Sequence, residues 1–176
     1  CTTNQIAKWD DAQSQWICSD ELATLQAEIA ALKNLLVHFS RNGNEITISG
    51  ANLHVVNGTG ATASANGLGN IIIGYNESRT GSDVAEFQVD ERSGSHMLVV
   101  GAKLNYSKYG GIVVGYANAA TGEWSSVSGG SYNRASGNVS SISGGYFNQA
   151  TNNNASVAGG EKNTASGWIS SVSGGL

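Results

Sequence analysis

The sequence has no proline, and only 12 % of its residues are charged, about half the usual share. Aromatic residues make up 7 %, too few to fill a large close-packed core from one copy of the chain. The lysines and arginines form no cluster and the formal net charge is −4. Nucleic acid is therefore not expected as a partner, because phosphate neutralisation needs cations gathered on one face. No run approaches the ~20 apolar residues of a membrane-spanning helix, so no membrane contact is expected of this segment. The chain begins at Cys1 and breaks off inside a repeat at Leu176. This reads as an excerpt, so the lack of a targeting segment says nothing of the parent protein.

Cysteine is nearly absent as well. Cys1 and Cys18 flank an alternating stretch with Ala7 and Trp9 on one side and Ile6 and Lys8 on the other, broken by DDAQS. This predicts a small β-hairpin over residues 1–18. A Cys1–Cys18 disulfide would remove about 3 kcal/mol of loop entropy from the unfolded chain and imply an oxidising compartment. Two free thiols are the alternative. No other Cys or His stands at ligand spacing, so neither a metal nor a cofactor is expected.

What the sequence does have is repetition, and 24 glycines. Stepping by fifteen aligns Ile112, Val127, Ile142, Val157 and Val172 as a candidate core column. Asn118, Asn133, Asn148 and Asn163 form a second column, Ala120, Ala135, Ala150 and Ala165 a third, and Gly115, Gly130, Gly145, Gly160 and Gly175 a fourth. The unit is too short for a helix pair and suits one coil of a β-solenoid, with two short strands and two turns. Val or Ile and Ala point inward, Gly and Asn supply bends, and stacked coils pair about 4.8 Å apart. The Asn column can hydrogen-bond up the stack. Asn152 replaces the glycine found at Gly122, Gly137 and Gly167, which marks that position as a left-handed turn. One Val and one Ala per coil are a thin core, so several chains sharing these columns are expected.

Leu22, Leu25, Ile29, Leu32, Leu36 and Phe39 are spaced 3, 4, 3, 4, 3. That is a heptad seam, predicting a coiled coil over 19–40 with Ser19 as N-cap; an amphipathic helix packed on its own domain is the alternative. Residues 41–57 read as a β connector, with a tight turn at Asn42-Gly43 and strands around Ile46 and Ile48 and around Leu53 and Val55. Irregular coils follow over 58–110, with a charged insertion at 77–96 read as an outward loop or hairpin, or else as a solvated cover that stops the apolar coils from pairing wrongly. The regular array covers 111–176.

A heptad helix joined to units of V-x-G-G and N-x-A-S-G resembles the neck and head modules of trimeric autotransporter adhesins, the YadA-like family. The likeness covers 19–40 and 111–176 well and 70–110 loosely. It implies a mainly β fold: a left-handed parallel β-roll built by three chains and carried on a coiled coil. It further implies a homotrimeric virulence-type fibre on a bacterial outer surface, anchored through the parent protein, that adheres to a surface glycan or protein. The chain departs from the family in its second glycine at Gly129, Gly144, Gly159 and Gly174, in the absence of a membrane-anchor barrel, and in the Cys-Trp-Trp-Cys hairpin. A phage or injection-machine tail fibre, in a virion tail, is the alternative.

Catalytic chemistry finds little support. His38, His54 and His96 stand in unrelated contexts, Ser95 beside His96 lacks a G-x-S-x-G setting, and Asp90 and Glu91 adjoin Arg92 as a charge cluster. The array offers only the carboxylates Glu123 and Glu161, so no enzyme is expected. Asp83 and Glu86 in the insertion are a candidate cation site. Tyr116, Trp124, Tyr132, Tyr146, Phe147 and Trp168 fall in variable, outward columns. They either cover neighbouring coils and a subunit joint, the reading the pattern favours, or stack on sugars.

Overall fold

The chain divides into two units, Cys1–Leu53 and His54–Leu176, in a computed structural model that describes residues 1–3, 5–79 and 89–176. The middle of the insertion, with Asp83 and Glu86, lies outside the described residues. Among the described residues no helix is long and apolar enough to cross a membrane.

The first unit opens with an antiparallel hairpin of β1 (Ile6–Asp10) and β2 (Gln15–Ser19). Asp10 turns the chain by accepting the amides of Ala12 and Gln13 at 2.9 and 3.1 Å. Trp9 and Trp16 face each other across the strands, edge to face at 5.7 Å. Cys1 and Cys18 are disulfide-bonded with their Cα atoms 5.1 Å apart, as their flanking of the hairpin led us to expect. Helix α1 (Glu21–Leu35) follows. Asp20 occupies its N-cap without a side-chain bond, while the Ser19 hydroxyl accepts the Glu21 amide at 3.3 Å.

Helix α1 ends earlier than the heptad pattern predicts. Leu36 is its C-cap, and Phe39 starts β3 (Phe39–Asn42), which pairs with β4 (Glu45–Ile48) around a Gly43-Asn44 turn. The pairing captures the last predicted turn of helix. Phe39 sits opposite Ile48, and His38 exchanges bonds with Ser49 through its backbone carbonyl and its ring Nδ1. Leu36 and Phe39 therefore leave the helical seam, and Leu22, Leu25, Ile29 and Leu32 remain on it. The strand expected around Leu53 and Val55 is irregular backbone.

The second unit is a parallel β-solenoid of about 5 turns. Each regular coil contributes a two-residue strand to each of two sheets. The first sheet stacks β5 (Ile71–Ile73), β6 (Leu98–Ala102), β8 (Ile112–Tyr116), β10 (Ser126–Val127), β12 (Ser141–Ile142), β14 (Ser156–Val157) and β16 (Ser171–Val172). The second stacks β7 (Asn105–Tyr106), β9 (Ala119–Ala120), β11 (Arg134–Ala135), β13 (Gln149–Ala150) and β15 (Thr164–Ala165). Val127, Ile142 and Val157 from one sheet meet Ala135, Ala150 and Ala165 from the other in one closed cluster, against which Val172 packs.

Register corrects one member of the expected core. Val127 lies beside Val113, not Ile112, and Val113 is fully buried while Ile112 is 40 % exposed. The step from Val113 to Val127 is fourteen residues, yet Asn118 to Asn133 remains fifteen. The second glycine of the SGG phrase, first present at Gly129, is thus a one-residue insertion in the turn. A Cβ at Gly144 or Gly159 would meet nothing. The other glycine is obligatory: Gly130, Gly145 and Gly160 hold positive φ, and a Cβ there would strike the carbonyl of the next coil.

Asparagine ties the coils together. The Oδ1 atoms of Asn118, Asn133 and Asn148 accept the backbone amides of Asn133, Asn148 and Asn163, at 2.8, 2.9 and 2.9 Å. Each Nδ2 donates within its own turn and to the glycine carbonyl of the next coil, as Asn148 does to Gly144 and Gly160. Asn118, Asn133 and Asn148 are fully buried, and these bonds are what makes their burial tolerable.

The left-handed backbone falls elsewhere than expected. Gly122, Gly137, Gly167 and Asn152 do not adopt positive φ; glycine is needed at 122 and 137 because the next coil's backbone passes too close for a Cβ. Positive φ instead recurs in two columns of ordinary residues: Lys103, Ala117, Tyr132, Phe147 and Lys162, and Trp124, Val139, Asn154 and Ile169. The reason lies in the hydrogen bonds. Strand amides donate to the following coil, as Ser126 does to Ser140. The left-handed residues turn theirs back to the preceding coil, as Tyr132 does to Tyr116 and Val139 to Glu123. Each coil is thereby bonded in both directions.

Two substitutions test this account by thermal or chemical unfolding. Asn148→Ala strands the Asn163 amide and takes a donor from the Gly144 and Gly160 carbonyls, and is expected to cost about 3 kcal/mol. Val139→Asn relieves a β-branched residue from left-handed backbone at a position 54 % exposed, and is expected to stabilise by up to about 1 kcal/mol.

Candidate binding faces

The apolar seam of the first unit is uncovered. No residue of α1 is buried, and Leu25, Ile29 and Leu32 are 55 %, 47 % and 57 % exposed. Leu36 and Phe39, although off the helix, are equally bare.

The second unit carries an aliphatic lattice on the outer face of its first sheet. Outward residues align as Ile71, Leu98 and Ile112 in one row and Ile73, Val100 and Val114 in the other, with buried Val99 and Val113 between. One coil further on, the same rows become Ser126 and Ser128. Alternation in the strand explains the pattern: the inward middle residue fills the core, and its two neighbours must face out.

The candidate contact aromatics separate into three places. Tyr116, Tyr132, Tyr146 and Phe147 form one patch at the turn leading from the first sheet to the second. Tyr132 and Phe147 stack nearly parallel at 4.9 Å, and Tyr116 and Tyr146 meet Tyr132 edge-on at 5.8 and 5.9 Å. Trp124, in the other turn, packs edge-on against Tyr109. Trp168 stands apart and 71 % exposed.

The described ends of the insertion are anchored on the solenoid. Arg79 is 2 % exposed and donates through Nε to the Lys103 carbonyl at 2.6 Å and through Nη2 to the Asn118 carbonyl. Burial pulls its pKa down to about 10, partly offset by Asp90. It lies where the asparagine column is broken. Asn76 accepts the Leu104 amide as a ladder member would, but Leu104 has no amide side chain to hand on. Asp90 fixes the insertion's root by accepting from Ser78 Oγ, the Arg79 amide and Arg92 Nη2. Burial alone would raise the Asp90 carboxyl, but these donors hold it below its ordinary value. Beside this root, Arg79, Glu91, Asn105, Thr121 and Arg134 line an open cleft of about 240 Å³. Nothing in the sequence distinguished Arg79 from the solvated arginines; only the fold carries it inward.

The remaining polar candidates have structural partners. His96 Nε2 accepts the Asn57 amide at 3.2 Å and its Nδ1 contacts the Thr62 carbonyl at 3.1 Å. Ser95 Oγ bonds Asn66 instead, so Ser95 and His96 do not form a nucleophile–base pair. Asp90 binds Arg92 while Glu91 Oε1 accepts the Ser93 amide, so those carboxylates do not converge on one spot. Among the described residues no three His, Cys, Asp or Glu side chains are grouped to hold a metal ion.

Arg79→Met keeps the apolar stem and removes the donors. It is expected to lower the unfolding free energy by about 2–4 kcal/mol in a denaturant titration, because the charge-assisted bonds to the Lys103 and Asn118 carbonyls are lost. No protein-family model, curated protein or solved structure matches this chain.

Proposed function

We propose that this chain is a segment of a homotrimeric adhesive fibre displayed on a bacterial surface, joining a three-stranded coiled coil to a three-chain β-roll. The observation that carries this reading is that both units leave an ordered apolar face without a partner. The seam of α1 is a heptad pattern, which is self-complementary between identical helices. The Ile/Leu/Val lattice of the first sheet is contiguous, with Ile71, Ile73 and Ile112 exposed, and is composed of residues that otherwise fill cores. Further copies of the same chain can cover each of these faces. Stacked coils bonded in both directions give a stiff rod, and three identical rods present any weak contact in triplicate, so adhesion gains strength through avidity. The disulfide-bonded hairpin fits an extracytoplasmic setting.

Sedimentation equilibrium of the chain at micromolar concentration is expected to report three copies per particle. Leu25→Asp combined with Ile29→Asp is expected to weaken that assembly markedly, since charges in a heptad seam oppose association. A well-behaved monomer would overturn the reading, and an unaltered trimer in the double variant would exclude the helix from the interface.

A further inference from the structure

Helix α1 stops where its sequence carries no stop signal. Its C-cap is Leu36, followed by Val37 and His38, with no glycine or asparagine to close the last turn. Such a signal comes later, at Asn42-Gly43. Gly43 holds φ +58°, the left-handed conformation that serves a helix C-terminus as well as a hairpin turn. Between Leu35 and Gly43 no residue has positive φ. A helix running on to Asn42 would place Arg41 in its last turn, where a cation suits the helix dipole. The heptad spacing through Leu36 and Phe39 asks for the same longer helix.

The structure that takes these residues instead is a weak one. Among the described residues β3 and β4 pair only with each other, and every residue of both strands is exposed. A two-stranded ribbon with no covered face is marginal in water. It sets Phe39 opposite Ile48 and ties His38 to Ser49, yet leaves Leu36, Phe39 and Ile46 exposed. The departure from the helix is also slight at first: the Leu36 amide still donates to the Leu32 carbonyl, and the Phe39 amide donates to Leu36.

Resting on the trimeric reading above, we propose that residues 36–42 are a two-state element. In the lone chain they form a turn and strand β3; in the assembled fibre they form about two further turns of α1. Leu36 and Phe39 then enter the seam against the same residues of two other copies of the chain. The lone chain lacks those partners, so the hairpin wins there. Association draws the element toward helix, and whatever favours the strand weakens association by the same factor. The hairpin is thereby a brake on assembly that is released when three seams meet.

The test is carbon NMR of the full chain labelled at phenylalanine, of which it has three, with Phe39 assigned by its loss in Phe39→Leu. In the unaltered chain, at concentrations where sedimentation reports the trimer, the Phe39 Cα shift is expected to be helical. In the Leu25→Asp/Ile29→Asp chain it is expected to be that of a strand. Two substitutions in the hairpin move the balance from either side. Ser40→Val favours strand over helix and is expected to weaken assembly several-fold. Thr47→Pro removes a ladder donor opposite Ser40 and is expected to strengthen assembly several-fold. A strand shift for Phe39 within the trimer would overturn the switch and leave the trimer standing. A helical Phe39 in the double variant, a double variant that still forms trimers, or the absence of opposite effects from Ser40→Val and Thr47→Pro would also overturn the switch. An unaltered chain that is monomeric throughout would remove the trimeric reading and the switch together.

Discussion

The array depends on a lateral register in which every coil hands its amides to its neighbours, and buried asparagine enforces that register. An Asn side chain offers one acceptor and two donor hydrogens at a single point. In Asn133 and Asn148 the acceptor takes the next asparagine's amide while the donors reach two glycine carbonyls. A coil displaced by one residue would leave all of these groups buried and unpaired, a penalty far above the cost of any single exposed contact. Glycine at 130, 145 and 160 follows from the same constraint, since the carbonyls that receive those donors occupy the space of a Cβ.

Holding the coils this way has a local cost, borne by residues in left-handed backbone such as Val139 and Ile169, each strained by roughly 1–2 kcal/mol. What they return is a bond to the preceding coil, so the stack is tied in both directions and resists shear. The core meanwhile stays thin, because two-residue strands bury one Val or Ile and one Ala. Apolar surface that a globular protein would enclose lies outside, on the Ile71–Ile112 lattice and on α1. Stiffness from hydrogen bonds combined with uncovered apolar faces is the physical basis of the fibre proposal.

Where the column pattern breaks, the chain substitutes a side chain from a distance. Leu104 cannot continue the asparagine ladder, and Arg79 brings donors to the Lys103 and Asn118 carbonyls on either side of that break. Arg79 thus stitches the insertion into the stack, and Asp90 ties the insertion's two ends together. The insertion's composition alone marked it as a solvated loop, because charged residues in a polar stretch look alike whether they face water or carbonyls.

The hairpin, its cysteine pairing, and the Asn, Ala and Val/Ile columns were legible in the sequence, because each expresses a periodicity that the backbone itself imposes. Alternation marks a strand, and a fifteen-residue repeat marks a coil. Three features were not legible. Val113 rather than Ile112 enters the core because the coil from Val113 to Val127 lacks the second glycine and steps by fourteen, whereas the Asn118-to-Asn133 step already spans Gly129 and is fifteen. Helix α1 stops at Leu35, although the heptad spacing runs on to Phe39, because pairing with Ile48 competes for Phe39. The gathering of Tyr116, Tyr132, Tyr146 and Phe147 into one braced patch depends on two columns meeting at a turn. Periodicity along the chain determines what repeats and which residues face inward; which columns become neighbours, and where a repeat yields to a competing partner, is decided only when distant segments compete for the same hydrogen bonds.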